Sequence, residues 1–448
     1  MPVLLITDVL VWLLVAAAAG YAFYCRRQPH LAVPWARVFR SSAAMASAVV
    51  LAVYLLVGML DSLHFRPALE RQARGPAAYS SEVLSVLDLA LVRLRGRGEK
   101  TYSAPFAARS YAKEQIELPD GRQTRDFPRL RFGGAHLKDE DEWAGDVARR
   151  GMLGLAAAAV LSFLFFRLLK ILWKKKPEVA WNAAYVSLAV LLLIAGPAVV
   201  LCTSYHVLGT DKVGQDVFYL ALKSVRTSLV IGTVTTLVLL PLGIALGTMA
   251  GYFKGWVDDV IQYFYTTLNS IPGVLLIAAA VLMMQVVIDR HSDWFNTAAQ
   301  RADFRLFILC AILGLTSWTG LARLLRGETL KLSELEYIQA AHAFGVRDSR
   351  ILARHILPNL SHIVIITMVM DFSGLVLAEA VLSYVGVGVD PSTNSFGTMI
   401  NAARLEMSRE PVVWWALATA FTFMFALVLA ANLFADAVRD GFDPRVRM

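Results

Sequence analysis

Runs of about 20 apolar residues recur along the whole chain, and they limit what it can fold into. A run of that length matches the hydrocarbon thickness of a bilayer, and within lipid a helix satisfies its own backbone groups. We place such runs near residues 4–24, 41–60, 151–173, 183–203, 226–250, 260–288, 304–323, 361–386 and 412–436. Nine helices of this kind make the chain an all-α membrane protein. Composition agrees, with 57% hydrophobic and 17% charged residues over 448 positions and a mean hydropathy of +0.55. That leaves too little charge to cover a soluble globule of this size.

Cys25, Cys202 and Cys310 lie far apart at or within these runs. They suggest packing rather than a disulfide framework or a metal site. The net charge of +8 reads as membrane topology, not as affinity for nucleic acid. If segments 25–40, 167–182, 251–259, 323–360 and 437–448 face the cytoplasm, they carry 19 of the 43 Lys and Arg residues. The opposite side then carries 8, apart from the long 61–150 segment, which holds 16. Positive residues concentrate on the cytoplasmic side, and long loops cross largely regardless of charge. The N-terminus is therefore expected outside and the C-terminus inside. Residues 1–11 contain no Lys or Arg, and Arg26-Arg27 follow the first run, the reverse of a cleavable signal. We read it as a retained span.

Composition divides the chain. Residues 1–177 hold spans near 4–24, 41–60 and 151–173 and a polar segment, 61–150, with 16 basic and 14 acidic residues. Its turn signals (Gly96, Gly98, Pro119-Asp120-Gly121, Gly133-Gly134) suggest a small folded extracytoplasmic insert. Lys174-Lys175-Lys176-Pro177 is the expected stop and boundary. Residues 178–448 form a block of six spans with short connections. Gly243, Gly247 and Gly251 make two overlapping GxxxG steps, which allow close helix approach inside this chain or to a partner.

No P-loop, HExxH, CxxC or GxSxG motif is present, and Gly-Lys does not occur at all. Chemistry on ATP would have to be done by another chain, and no cofactor is expected. Asp371 and Glu379 lie eight residues apart in one span, where carboxylates are costly. They suit a pathway lining or proton relay, or equally a bond to a neighbouring helix. Pro272 should kink or break the sixth span. Gly209-Thr210-Asp211, Gly214 and Asp216 read as a helix start.

The stretch EYIQAAHAFGVRDSRILARHILPN, residues 336–359, is charged and amphipathic among these apolar runs. Ser333 and Glu336 have capping-box spacing. Tyr337, Ala341 and Phe344 fall on one helical face, and Gly345 suits a helix end. A second helix from Asp348 is expected to stop before Pro358. A short cytoplasmic helix–turn–helix with a small-residue face and basic flanks is shaped for a partner. The alanines argue against a lipid-facing stripe.

This stretch resembles the EAA loop of the membrane subunits of ATP-binding-cassette importers. Ala340, Ala341, Gly345, Leu357 and Pro358 fit its spacing, while Gln339 replaces the usual Glu and His355 the usual Ile. Arg354 to Asn359 is similar to the peptide-importer branch. So, in order, are LGTDKVGQDV (208–217), YFKGWVDDV (252–260), SIPGVLL (270–276), LAEAVLSYVGVGV (377–389) and NLFADAVRDGFDPR (432–445). The motifs span about 183–448 and point to the second permease type of dipeptide, oligopeptide and nickel importers. The resemblance implies a six-helix importer permease core, here preceded by a three-span N-terminal extension that the core family lacks.

The same resemblance implies a bacterial inner-membrane location. It implies as partners a second homologous permease, two cytoplasmic ATP-binding subunits and an extracytoplasmic substrate-binding protein, beside the lipid bilayer. Within the loop 324–360, the coupling residues would be Glu336, Tyr337, Gln339, Ala340, Ala341, Phe344, Gly345, Arg347, Asp348, Arg350 and Pro358, acting over 333–358. By residue type rather than by the resemblance, Pro272, Asp371 and Glu379 are read as lining or gating the path; the resemblance places Glu379 on a family position and gives Asp371 no role. Phe396 stands where the family usually has Trp. A gradient-driven secondary transporter using Asp371 and Glu379, and a membrane scaffold built around 61–150, are the rival readings.

Overall fold

The computed structural model describes residues 1–68, 79–117, 123–172 and 179–442. Its first part runs β1 (Pro2–Val3), α1 (Ile6–Arg27), α2 (Pro29–Arg40), α3 (Ser42–Asp61), β2 (His64–Phe65), β3 (Leu84–Ser85), α4 (Val86–Ala90), α5 (Val92–Arg95), β4 (Glu114–Glu117), β5 (Gln123–Asp126), α6 (Trp143–Leu172) and α7 (Trp181–Leu201). There follow α8 (Val217–Phe253), α9 (Gly255–Ser270), α10 (Gly273–Arg290), α11 (Ala298–Ser317), α12 (Thr319–Ser333), α13 (Glu336–Ala343), α14 (Asp348–Ile351), α15 (Leu357–Val385), α16 (Phe396–Glu406) and α17 (Trp415–Phe442). Among the described residues, nine helical segments are long and apolar enough to span a bilayer, in the order expected. The Lys174–Pro177 stop and the Pro119–Gly121 turn lie outside the described residues.

Two boundaries differ from expectation. The run at 260–288 is not one helix. Residues 255–270 form the amphipathic α9, and the sixth span is α10, which begins after Pro272. Pro272 supplies the N-cap of α10, so the ring that cannot donate a backbone bond sits where none is needed. Pro358, by contrast, does not end its helix. A π-turn at Leu352–Ile356 precedes α15, and the chain stays helical from Asp348 to Val385. The wider turn carries the Leu357 N–H to the Leu352 carbonyl, which makes room for the ring beside the preceding turn.

The chain packs as two compact units. One comprises residues 1–3, 39–228 and 393–430, and the other 4–38, 229–392 and 431–448. In the first, α6 and α7 approach at glycine. A methyl group on Gly154 would fall 2.7 Å from the Gly196 carbonyl oxygen. The described part of the 61–150 segment is folded: β1, β2 and β3 form a small antiparallel sheet. Leu94 and Leu137 pack with Leu201, Cys202, Tyr205 and Val207 beyond the end of α7. Backbone bonds from Glu99 N–H to the Gly214 carbonyl (2.9 Å), Phe106 N–H to that of His206 (2.9 Å) and Thr210 N–H to that of Ser103 (3.1 Å) run along this seam. Gly214, at φ +78°, would place a methyl group 1.9 Å from the Glu99 carbonyl oxygen, so glycine is required there.

In the second unit, Val230, Ile231 and Val234 of α8 pack against Leu306, Leu309, Cys310 and Leu313 of α11, and Val11 of α1 joins this core. Asp303 on α11 caps the start of α1. Its Oδ2 accepts from the Thr7 N–H at 3.1 Å and its Oδ1 from the Thr7 hydroxyl, which satisfies N–H groups a helix start leaves open. The GxxxG row faces α12. Methyl groups on Gly247 and Gly251 would each lie 2.6 Å from a carbonyl oxygen, those of Ala322 and Arg326. Of the two uses left open for the row, the described residues show packing inside the chain. Arg326 forks onto Asp258 of α9, with both N···O distances 2.6 Å.

Candidate functional site

The segment after α12 is short, polar and attached by a few apolar anchors. Ser333 is the last residue of α12, and its hydroxyl donates to the Leu330 carbonyl at 2.8 Å. The expected capping box therefore does not form. Leu335 is the N-cap of α13 and makes no side-chain cap bond, because Ser333 is still inside the preceding helix when the chain turns. α13 ends as expected at Gly345, φ +73°. The Val346 N–H bonds the Ala341 carbonyl (3.1 Å) and the Gly345 N–H that of His342 (2.9 Å), the paired bonds of a Schellman cap.

Ile338 anchors this helix. It is 3% exposed and packs with Leu239, Trp318, Leu321, Leu325, Ile351 and Ile356. Ala341, three residues on, shares that inner face. The outer face is thus Tyr337, Ala340 and Phe344 rather than the expected Tyr337, Ala341 and Phe344. Phe344 is 87% and Tyr337 46% exposed. Glu336, Gln339, Arg347, Arg350 and Pro358 are also exposed, and Asp348 is half-buried. A phenol holds the turn in place: the Tyr252 hydroxyl donates to Asp348 Oδ1 at 2.7 Å. The Asn359 amide donates to the Tyr337 hydroxyl at 3.0 Å, and the Gln339 amide to the Glu334 carbonyl at 3.2 Å. Seen as chemistry, this is an amphipathic handle anchored to the core through Ile338. Among the described residues no His, Cys, Asp or Glu group of three could hold a metal.

Of the residues read as pathway, Pro272 is exposed at the start of α10. Asp371 is half-buried, and Glu379 is fully buried, accepting from the Ser383 hydroxyl at 2.6 Å. Eight residues of helix separate them by about 12 Å and turn them about 80° apart, so they do not form a pair.

Sequence reasoning missed two buried polar clusters in the first unit. His206 lies between Asp216 Oδ2 (2.8 Å) and Glu99 Oε1 (3.4 Å). Glu99 also accepts from the N–H groups of Arg131, Phe132 and Gly133 at 2.8–3.1 Å. Burial works against the imidazolium, but hydrogen bonds to the two carboxylates prevail and push His206 up to about 9. Burial likewise opposes ionisation of Glu99, and His206 with those three N–H groups brings it down to about 2. Asp216 meanwhile caps α8, its Oδ1 accepting from the Phe218 N–H at 2.9 Å, which is the helix-start role expected for it. In the second cluster Lys223 Nζ meets Asp61 Oδ1 (2.5 Å) and Asp88 Oδ2 (3.2 Å), and the Tyr219 hydroxyl donates to Asp88 (2.7 Å). Only the polar motif around Asp216 hinted at either.

A profile of the binding-protein-dependent transport system inner membrane components matches residues 243–448. The glutathione transport system permease protein GsiD of Pectobacterium atrosepticum is 35% identical over 247 residues, 55% of this chain and 74% of the relative. The oligopeptide transport system permease protein OppC of Mycobacterium bovis is 30% identical over 54% of this chain and 77% of its own length. The dipeptide transport system permease protein DppC of Lactococcus lactis is 30% identical over 54% and 64%. These likenesses do not favour the gradient-driven alternative. With the profile on its C-terminal region and a relative 35% identical across 74% of that relative's length, the chain belongs to the binding-protein-dependent transport system inner membrane components, as a multi-pass permease subunit of an ATP-binding-cassette importer and not an enzyme.

Proposed function

We propose that this permease belongs to a peptide-class importer and transmits the closure of partner ATPases through residues 333–358. The observation that carries the coupling role is α13 itself. Ile338 fastens it to the core, while Phe344, 87% exposed, and Ala340 stand open to a partner. Ala340 leaves room for close approach between the Tyr337 and Phe344 rings, and Glu336, Gln339, Arg347 and Arg350 surround the face with polar groups, the composition of an interface rim. Asp348, tied to Tyr252 of α8, would pass the movement to that helix, and the π-turn before Pro358 to α15. The names of the relatives, glutathione, oligopeptide and dipeptide permeases, support a peptide or peptide-like substrate.

The assembly would contain a second homologous permease, two cytoplasmic ATP-binding subunits and an extracytoplasmic binding protein. The N-terminus would lie outside and the C-terminus in the cytoplasm. Residues 178–448 would be the six-span core and 1–177 an N-terminal extension carrying the extracytoplasmic insert 61–150. Pro272, Asp371 and Glu379 would border the path. Ala340→Trp tests the coupling, since the exposed site accepts the ring without disturbing Ile338. The variant should insert and fold normally yet lose ATPase co-purification and uptake. Full uptake by Ala340→Trp would remove α13 from the coupling role.

A further inference from the structure

α6 and α7 meet at the Gly154–Gly196 contact. At that contact the backbones touch: a methyl group on Gly154 would meet Pro197 Cα at 2.7 Å, and one on Gly196 would meet Ala158 Cβ at 2.6 Å. Helices that cross at one level diverge from it. Toward Arg167 and Asn182 the space between them opens into a trough of about 360 Å³, lined by Phe163, Phe166, Tyr185, Ala189 and Leu192. Phe166 and Tyr185 meet edge to face with centroids 5.1 Å apart, so part of the wall is fixed. From Asn182 to Leu192 it runs ten residues of helix, about 15 Å. That is half of the ~30 Å hydrocarbon core, the depth of one leaflet.

Cations crown the open end. The Arg167 guanidinium lies 5.4 Å from the centroid of the Phe163 ring and the Lys170 ammonium 6.0 Å from that of Phe166, and Asn182 adds an amide at the mouth. By sequence, no acidic residue occurs in 147–177 or 179–210, so neither helix brings its own carboxylate there. We propose that the trough holds an acyl chain of an anionic phospholipid, with Arg167, Lys170 and Asn182 on its phosphate. Charge complementarity selects this occupant: basic pockets between spans on the cytoplasmic side suit anionic headgroups, and the apolar, aromatic lining suits an acyl chain. The orientation rests on the topology proposed above, but the binding test does not require transport.

The test uses the full chain in detergent, titrated with dioleoyl phosphatidylglycerol or dioleoyl phosphatidylcholine, with bound lipid counted by native mass spectrometry. One phosphatidylglycerol should be retained about 10- to 30-fold more tightly than phosphatidylcholine, the effect of two cations at an anionic lipid. R167Q with K170Q should erase that preference while leaving chain binding. Ala189→Trp, which fills the trough from a lipid-facing position, should remove the retained lipid of either kind. Equal retention of both lipids by the unaltered chain would overturn the proposal. So would unchanged retention by Ala189→Trp, or cross-linking of Tyr185→Cys to a helix of the paired permease.

Discussion

His206→Ala should loosen the seam between the 61–150 segment and the 206–217 stretch. The imidazolium sits between two carboxylates whose side chains are 3% and 0% exposed, so its removal leaves both without their cation. Breaking a buried pair from one side costs about 3–5 kcal/mol. The N–H groups that remain on Glu99 and Asp216 place this case near the lower end. Against a total stability of about 5–15 kcal/mol that is a large loss. The pH dependence is separable. His206 is raised from 6.5 to about 9, so its contribution is complete below pH 6.5 and disappears as pH rises through 9. Glu99 is lowered from 4.5 to about 2, so its contribution is complete above 4.5 and is lost as pH falls through 2. Both are whole between pH 4.5 and 6.5, by linkage. The unfolding temperature in detergent should therefore fall between pH 6.5 and 9 in the unaltered chain, and proteolysis of the segment should rise as it falls. His206→Ala should start lower and stay flat over that window. Parallel decline of the two proteins would refute the reasoning.

Two further substitutions probe packing and charge. Lys223→Met leaves Asp61 and Asp88 facing each other without a cation and should lower stability by about 3–5 kcal/mol, read as thermal unfolding; adding Asp61→Asn should recover part of it. Gly247→Leu forces side-chain atoms toward the Ala322 carbonyl oxygen, which would lie only 2.6 Å from a first methyl group at that position, and should cost about 1–3 kcal/mol by overpacking. That loss should appear in the isolated chain, because the close approach is internal.

The spans were legible because lipid demands length and hydrophobicity, both visible along the sequence. The error at 260–288 came from Tyr263, Phe264 and Tyr265, which read as apolar run but stand on the amphipathic α9. The helix end at Pro358 was misplaced because a π-turn depends on how Ile351 and Ile356 are held in the core, and no local rule supplies that. In α13 the Gly345 cap was legible, since a left-handed residue after a helix calls for glycine. Which alanine faces out was not legible, because Ile338 decides it through contacts with α8 and α12. Glu99 and His206 are 107 residues apart, so only folding brings them together.

The central claim is that the exposed face of α13 receives a partner ATPase. Cys25, Cys202 and Cys310 are all buried, so Phe344→Cys adds a single accessible thiol at the C-terminal end of that face. Its rate of alkylation should be measured in membranes with and without the co-assembled ATPases. The account predicts rapid labelling of the chain alone, strong protection in the assembled importer, and a rate that changes again when ATP is added. Equal labelling in an assembly that carries out ATP-driven uptake would contradict it.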